Sequence, residues 1–301
     1  MFVGCYLLNS LDIDTIDFSQ STSFEGTFSR CYKLSWSEIK KVLVCDNTVS
    51  AANIFAFKYH DPADTALGIV PADIFDGVPN INNLSCAFGY SFHSNDIYVQ
   101  GHTVPSGYLA INTINTFNTT LDKVTNFNYF AGYSRITSIP NLSKFPNITS
   151  AQAAFMGCTA LTTVNSNTFA SNTALTNLDG CFNGCTGITS NISNILDSLT
   201  ALTSARGLFY NSGIKGVIPQ GFFKNNHVLK DVSVMFSGSK ITGLSPLFLN
   251  ANDEVDGTYV LNNISAMFGN CTSLTGDVPE DLFTGCTTIT NAGSFYGSLP
   301  N

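Results

Sequence analysis

The sequence predicts a repeat solenoid: a right-handed coil of short β-strands and short helical or 3-10 turns, about eleven coils of ~27 residues, in one domain over residues 1–301. Three observations predict it. Phe155, Phe182, Phe209 and Phe236 follow one another at intervals of 27 residues. A small residue, Cys or Ser, stands three positions after most of the recurring phenylalanines. Asp, Glu, Lys and Arg make up only 11% of the chain, against about 25% in ordinary soluble domains, so Ser, Thr and Asn must supply the polar surface.

The recurring motif is an apolar or small residue, then Phe, two variable positions, and Cys or Ser. It reads Met1-Phe2…Cys5, Thr27-Phe28…Cys31, Ala87-Phe88…Ser91, Ala154-Phe155…Cys158 and Cys181-Phe182…Cys185. It continues as Leu208-Phe209…Ser212, Met235-Phe236…Ser239, Met267-Phe268…Cys271 and Ser294-Phe295…Ser298, with Phe55 and Phe130 as degenerate members. From Phe2 the spacings are 26, 27, 33, 42, 25, 27, 27, 27, 32 and 27. A weaker apolar line, 12 or 13 positions upstream, holds Val42, Phe75, Phe117, Leu142, Phe169, Leu196, Phe223 and Phe283. Each unit is thus two half-coils.

Segments such as Leu161–Val164, Leu175–Leu178 and Ile136–Ile139 mix apolar and β-branched polar residues and predict short strands with one buried face. The Phe-containing segments are expected to be short helical or 3-10 turns. One coil cannot bury its own Phe and Leu, but stacked coils form continuous ladders. At about 4.8 Å per stacked strand, the coils would make a rod about 50 Å long. Proline after Ile69-Val70, Val217-Ile218 and Asp277-Val278 turns the chain out of a strand.

Met1-Phe2 fills the same slot as Met235-Phe236, and Asn301 falls inside the unit begun by Phe295. Neither end carries an evident polar cap. The expectation is an interior fragment of a longer chain, or a chain capped by partner subunits.

Ala154-Phe155-Met156-Gly157-Cys158-Thr159-Ala160-Leu161-Thr162 and Met267-Phe268-Gly269-Asn270-Cys271-Thr272-Ser273-Leu274-Thr275 resemble BspA-type leucine-rich repeats. Their Met-Phe-x-x-Cys form is similar to repeats of surface proteins from mycoplasmas, gut bacteria and their phages. The resemblance covers nearly the whole chain, most tightly residues 130–301, and is weakest over 55–130, where insertions interrupt it. It implies a leucine-rich-repeat-type solenoid used in surface display, adhesion or host recognition, with no shared active site to carry over.

The net charge of −8 and three widely separated arginines, Arg30, Arg135 and Arg206, argue against nucleic acid, which needs clustered cations. No run approaches the ~18 apolar residues of a membrane span. Because Ser alternates with Cys in the slot after Phe, the cysteines are read as small buried residues, free and not disulfide-bonded. Only Cys181 and Cys185 are close in sequence, without the second pair a zinc site needs.

His60, His93 and His102, with Asp61, Asp64 and Asp96, fall where the repeat is interrupted and are candidates for a ligand or metal site. Asn252, Glu254 and Asp256 are weak calcium candidates, with Asp253 beside them, but Asn263 stands where a bidentate Glu is expected. Asp12, Asp14 and Asp17 are the carboxylates nearest to a sugar-cleaving arrangement, and no His, Lys or Arg nearby in sequence completes it. Asn-x-Ser/Thr triplets such as Asn147-Ile148-Thr149 follow from composition.

The expected function is non-enzymatic recognition by a bacterial surface adhesin or a phage fibre, without cofactor. Contact would come through inserted loops near 58–68, 90–112 and 249–259, carrying His60, Asp61, His93, Asp96, His102, Asp253 and Glu254, and through exposed rows of Thr, Ser and Asn. The expected partners are a host or cell-surface protein or glycan, with further chain or subunits at the coil ends. The expected location is extracellular, on a bacterial surface or virion. The alternatives are a structural spacer or virion component and, more weakly, a carbohydrate-cleaving spike.

Overall fold

A computed structural model describes residues 1–89 and 109–296. His93, Asp96 and His102, with Ser91 and Ser298, lie outside the described residues.

The unit of the fold is visible around Phe155, where successive N–H groups point in alternate directions. Those of Ala154, Met156 and Cys158 close local turns onto the carbonyls of Ala151, Ala153 and Phe155, at 3.2, 3.1 and 3.2 Å. Those of Ala153, Phe155 and Gly157 donate across to Asp179, Cys181 and Asn183, at 2.8, 3.0 and 2.7 Å. The pattern repeats from Phe182, whose N–H reaches the Leu208 carbonyl, and from Phe209, whose N–H reaches that of Met235.

This alternation keeps the segment from becoming the helical or 3-10 turn the sequence predicts. Every second N–H is already committed to the neighbouring layer, so a local ladder cannot propagate. It also requires left-handed backbone two residues either side of the ring, at Ala153 and Gly157 (φ 51° and 70°) and at Gly180 and Gly184 (φ 61° and 72°). Glycine takes this conformation freely, whereas Ala153 and Val234 are held in it by the interlayer bonds.

Following these bonds through the chain aligns eleven layers on Phe2, Phe28, Phe55, Phe88, Ala131, Phe155, Phe182, Phe209, Phe236, Phe268 and Tyr296. Rings of adjacent layers stack nearly parallel: Phe155–Phe182 at 5.8 Å, Phe182–Phe209 at 5.6 Å, Phe209–Phe236 at 5.8 Å and Phe236–Phe268 at 5.7 Å. Two assignments made from sequence are corrected. The slot given to Phe130 belongs to Ala131, since Phe88 N–H donates to the Phe130 carbonyl and Ala131 N–H to that of Ala154. The slot given to Phe295 belongs to Tyr296, because Phe268 N–H donates to the Phe295 carbonyl and the Tyr296 ring stacks on Phe268 at 6.3 Å. Phe127 and Phe130, stacked face to face at 3.9 Å, fill the volume that Ala131 leaves.

Regular strands are scarce. β1 (Val49–Ser50) pairs with β4 (Ile81–Asn83), β3 (Ile69–Val70) with β6 (Thr113–Ile114), and β7 (Lys215–Ile218) with β8 (Lys240–Leu244), all parallel. β2 (Tyr59–His60) pairs antiparallel with β5 (Leu109–Ala110), and α1 is the five-residue Trp36–Lys40, capped by Ser35. The strands expected at Leu161–Val164 and Ile136–Ile139 do not form, and Leu175–Leu178 contributes a bridge at Asn177.

What joins the layers there is a ladder one residue wide: Asn126, Ser150, Asn177, Ser204, Asp231, Asn263 and Asn291 bridge in parallel succession. The side chain of Asn177 accepts from the Asp179 N–H at 2.7 Å, that of Asp231 from Ser233 at 2.8 Å, and that of Asn263 from Ser265 at 3.2 Å. Such Asx turns satisfy the backbone locally, while at Ser150 and Ser204 the N–H two residues on goes to Asn128 and Asp179 of the preceding layer, so the bridges stay one residue wide.

The slot three residues after the ring also carries more than size. Cys31, Cys158, Cys185 and Cys271 donate S–H to the carbonyls of Phe2, Ala131, Phe155 and Phe236, the ring-slot residues one layer back, at 2.9–3.1 Å. In the opposite half-coil, Asn172 and Asn226 hold the equivalent place, each donating Nδ2 to two carbonyls of the preceding layer. Where the slot holds Cys or Asn its side chain donates to the preceding layer, whereas Ser134 and Ser239 face the thiols of Cys158 and Cys271 in the next layer and Ser212 Oγ accepts the Ile214 N–H. All nine cysteines are free, and burial pushes the Cys158 thiol up to about 11.

Among the described residues one apolar cluster extends from Leu11 to Leu282, with a smaller separate one at Tyr32, Ala56, Phe57 and Tyr59.

Candidate functional site

The insertion at 58–68 is buried at its start, at Lys58 and His60, and exposed from Asp61 to Ala66. Lys58 and His60 are buried, 3% and 1% exposed. His60 therefore does not offer a surface ligand: its Nδ1 faces the Asp61 carbonyl at 3.0 Å, and its other ring nitrogen abuts Gly68, where a Cβ would collide with it. Asp61 does reach the surface. With Asn9, Tyr32, Lys33 and Asp64 it lines a cleft of about 520 Å³ under the 3-10 turn Thr65–Gly68.

The 249–259 insertion closes on itself. Leu249 and Val255 bridge antiparallel, and Asn250 Oδ1 accepts the N–H groups of Asn252 and Glu254. Asp253 Oδ1 accepts from Gln220 Nε2 at 2.8 Å. The loop is organised by an amide, with Asn252, Asp253, Glu254 and Asp256 all exposed around it. Among the described residues no group of three His, Cys, Asp or Glu is placed to hold a metal ion. Asp12, Asp14 and Asp17 are exposed, and the Ser19 N–H holds the Asp17 carboxyl below its usual range.

A second concavity, of about 460 Å³, lies over the most regular layers. Its floor is the left-handed position two before each ring: Ala153, Gly180 and Gly207, with Tyr129 and Val234 at the ends. One flanking row, three before the ring, is Gln152, Asp179 and Arg206. The other, one after the ring, is Met156, Asn183 and Tyr210. Ala153, Gly180 and Gly207 share the positive φ with Tyr129 and Val234, and their lack of bulk makes the groove between those two.

The backbone beneath it is spent. Ala153, Gly180 and Gly207 give their N–H groups to Asp179, Arg206 and Ser233, while their carbonyls accept from Met156, Asn183 and Tyr210. Asp179 is fixed by Ser204 Oγ at 2.5 Å and by the Arg206 N–H at 2.9 Å, both on Oδ1. Among the described residues the side chains of Gln152, Asn183 and Arg206 and the Oδ2 of Asp179 make no hydrogen bond. The groove can therefore act on a ligand only through side chains: amide, carboxylate, guanidinium, thioether and phenol.

The sequence singles out Arg206 only for the scarcity of arginine and Met156 only as part of the repeat motif, and neither as a site residue. The available signal was variation: within the 27-residue layers the ring and donor slots keep their character, while the two flanking positions read Gln, Asp, Arg and Met, Asn, Tyr. No protein family, characterised protein or solved structure matches this chain.

Proposed function

We propose that the chain is a leucine-rich-repeat-type solenoid acting as a non-enzymatic recognition module, displayed outside a cell on a bacterial surface or on a virion. Its partner on this reading is a host or cell-surface protein or glycan. The observation that carries the proposal is the groove over Ala153, Gly180 and Gly207, lined by diverse polar side chains on a backbone whose hydrogen bonds are internal. A spacer has no use for a concavity with unengaged amide and guanidinium groups, whereas ligand sites combine such a concavity with a few polar anchors. The layered hydrogen bonding and the Met-Phe-x-x-Cys resemblance support the repeat assignment, and a single carboxylate in the groove, Asp179, supports binding over hydrolysis.

The test is attachment of the labelled chain to bacterial and animal cells, with the double variant Asn183→Ala, Arg206→Ala as comparison. Reduced attachment with an unchanged unfolding midpoint is the expected result. Undiminished attachment by the variant, or no attachment by the parent, overturns the proposal in favour of a structural spacer.

A further inference from the structure

We infer that the groove between Tyr129 and Tyr210 binds a neutral oligosaccharide laid along the stacking direction, an inference that rests on the recognition reading above. Three features of the groove select this ligand over others.

The first is the spent backbone. A peptide adding as a strand needs a row of open N–H and C=O groups, and at Ala153, Gly180 and Gly207 both groups are bonded within the protein. A ligand must be recognised from the side chains, which is how hydroxyl-bearing sugars are held.

The second is the charge balance. The lining holds one carboxylate, Asp179, and one guanidinium, Arg206, from adjacent layers, and no other ionisable group except the phenols of Tyr129 and Tyr210. A net field near zero does not favour an anionic or cationic ligand, but both groups, with the amides of Gln152 and Asn183, suit hydroxyls that donate and accept.

The third is the repeat itself. Successive layers are joined by backbone hydrogen bonds of 2.8–2.9 Å at Ala153, Gly180 and Gly207, so the flanking groups recur along the groove at a step of about 4.8 Å. A linear pyranose chain meets a new residue at about each layer, its apolar C–H faces lying on Tyr210 and Met156 and its edges on the amides. The Tyr210 phenol is the platform, in the way aromatic rings combine an apolar face with a polar tip.

The experiment is calorimetric titration of the whole chain with cellotetraose and chitotetraose, together with a glycan array carrying neutral and sialylated oligosaccharides. The expected result is binding to a neutral member, weakened about tenfold or more by Tyr210→Ala and by Asn183→Ala. Unfolding midpoints within those of the parent show that the layers are intact. Binding that ignores both variants, preference for sialylated glycans, or a silent array overturns the inference. A silent array with intact cell attachment removes the sugar and leaves the recognition reading standing. A silent array without attachment removes both.

Discussion

The Lys58 ammonium donates to the carbonyl oxygens of Cys31 at 2.8 Å and Leu34 at 2.9 Å, in the slot where other layers place a thiol or hydroxyl. Its nitrogen also stands 5.0 Å from the centre of the Trp36 ring. A cation thus serves as the buried donor of one layer, and no carboxylate pairs with it among the described residues.

Burial pulls the Lys58 pKa down to about 8, against about 10.4 for an unfolded lysine. Between these values the unfolded chain holds the proton and the folded chain does not, so the lysine's contribution to stability rises with pH through that window. Below about pH 8 the folded state carries the full cost of the buried charge, on the order of 3 kcal/mol. Urea unfolding of the parent and of Lys58→Met from pH 7 to 10.5 should show the parent gaining on the variant by that amount. Taking the difference removes the opposite effect of the buried thiols, such as Cys158, which lose stability as the medium becomes more alkaline.

Ala131 in the ring slot gives a test of the register. Ala131→Phe restores the apparent repeat yet forces a ring into the space held by Phe127 and Phe130, and should cost about 1–3 kcal/mol by overpacking. Phe182→Ala, which empties the column between Phe155 and Phe209, should cost about 3–5 kcal/mol. Equilibrium denaturation measures both. A stabilised Ala131→Phe would return the slot to Phe130.

Cys185 donates to the Phe155 carbonyl at 3.0 Å, and that oxygen also accepts the Cys158 N–H. Losing a second donor to a shared oxygen is a modest change. Cys185→Ser should retain more stability than Cys185→Ala by at most about 1 kcal/mol, because a hydroxyl of similar size can also donate to that carbonyl. Burial raises the thiol pKa at Cys158 and Cys185, so labelling of both by a disulfide reagent should wait on unfolding.

Asn226 gives both of its N–H bonds to Leu196 and Leu199, leaving Oδ1 without a partner among the described residues. Asn226→Asp places acceptors against acceptors and buries a charge. It should be several kcal/mol less stable than the parent at neutral pH. Because the carboxylate is penalised and the protonated acid can donate, its deficit should shrink as the pH falls. Thermal melts across pH 4 to 8 follow this directly.

Sequence alone determined the period and the two buried slots, since a ring every 27 residues at Phe155, Phe182, Phe209 and Phe236 and a small residue three positions later are visible without coordinates. It also marked where the period breaks, around His60 and around Asp253. Tertiary structure alone decided which of two neighbouring residues occupies a slot, Phe130 or Ala131 and Phe295 or Tyr296. Interlayer hydrogen bonds set the register through Ala131 and Tyr296, and side-chain volume then follows the backbone. It decided that the cysteines after the ring act as second donors, because the carbonyls they reach belong to the preceding layer, some 27 residues away. It turned His60 inward, since Gly68 leaves room there, and it gathered Gln152, Asp179, Asn183, Arg206 and Tyr210 into one groove. Those residues come from three successive layers, at two repeat positions whose residue type varies from layer to layer. Stacking brings them within one or two layers of each other, and a physical spacing of that kind is not written in any single repeat.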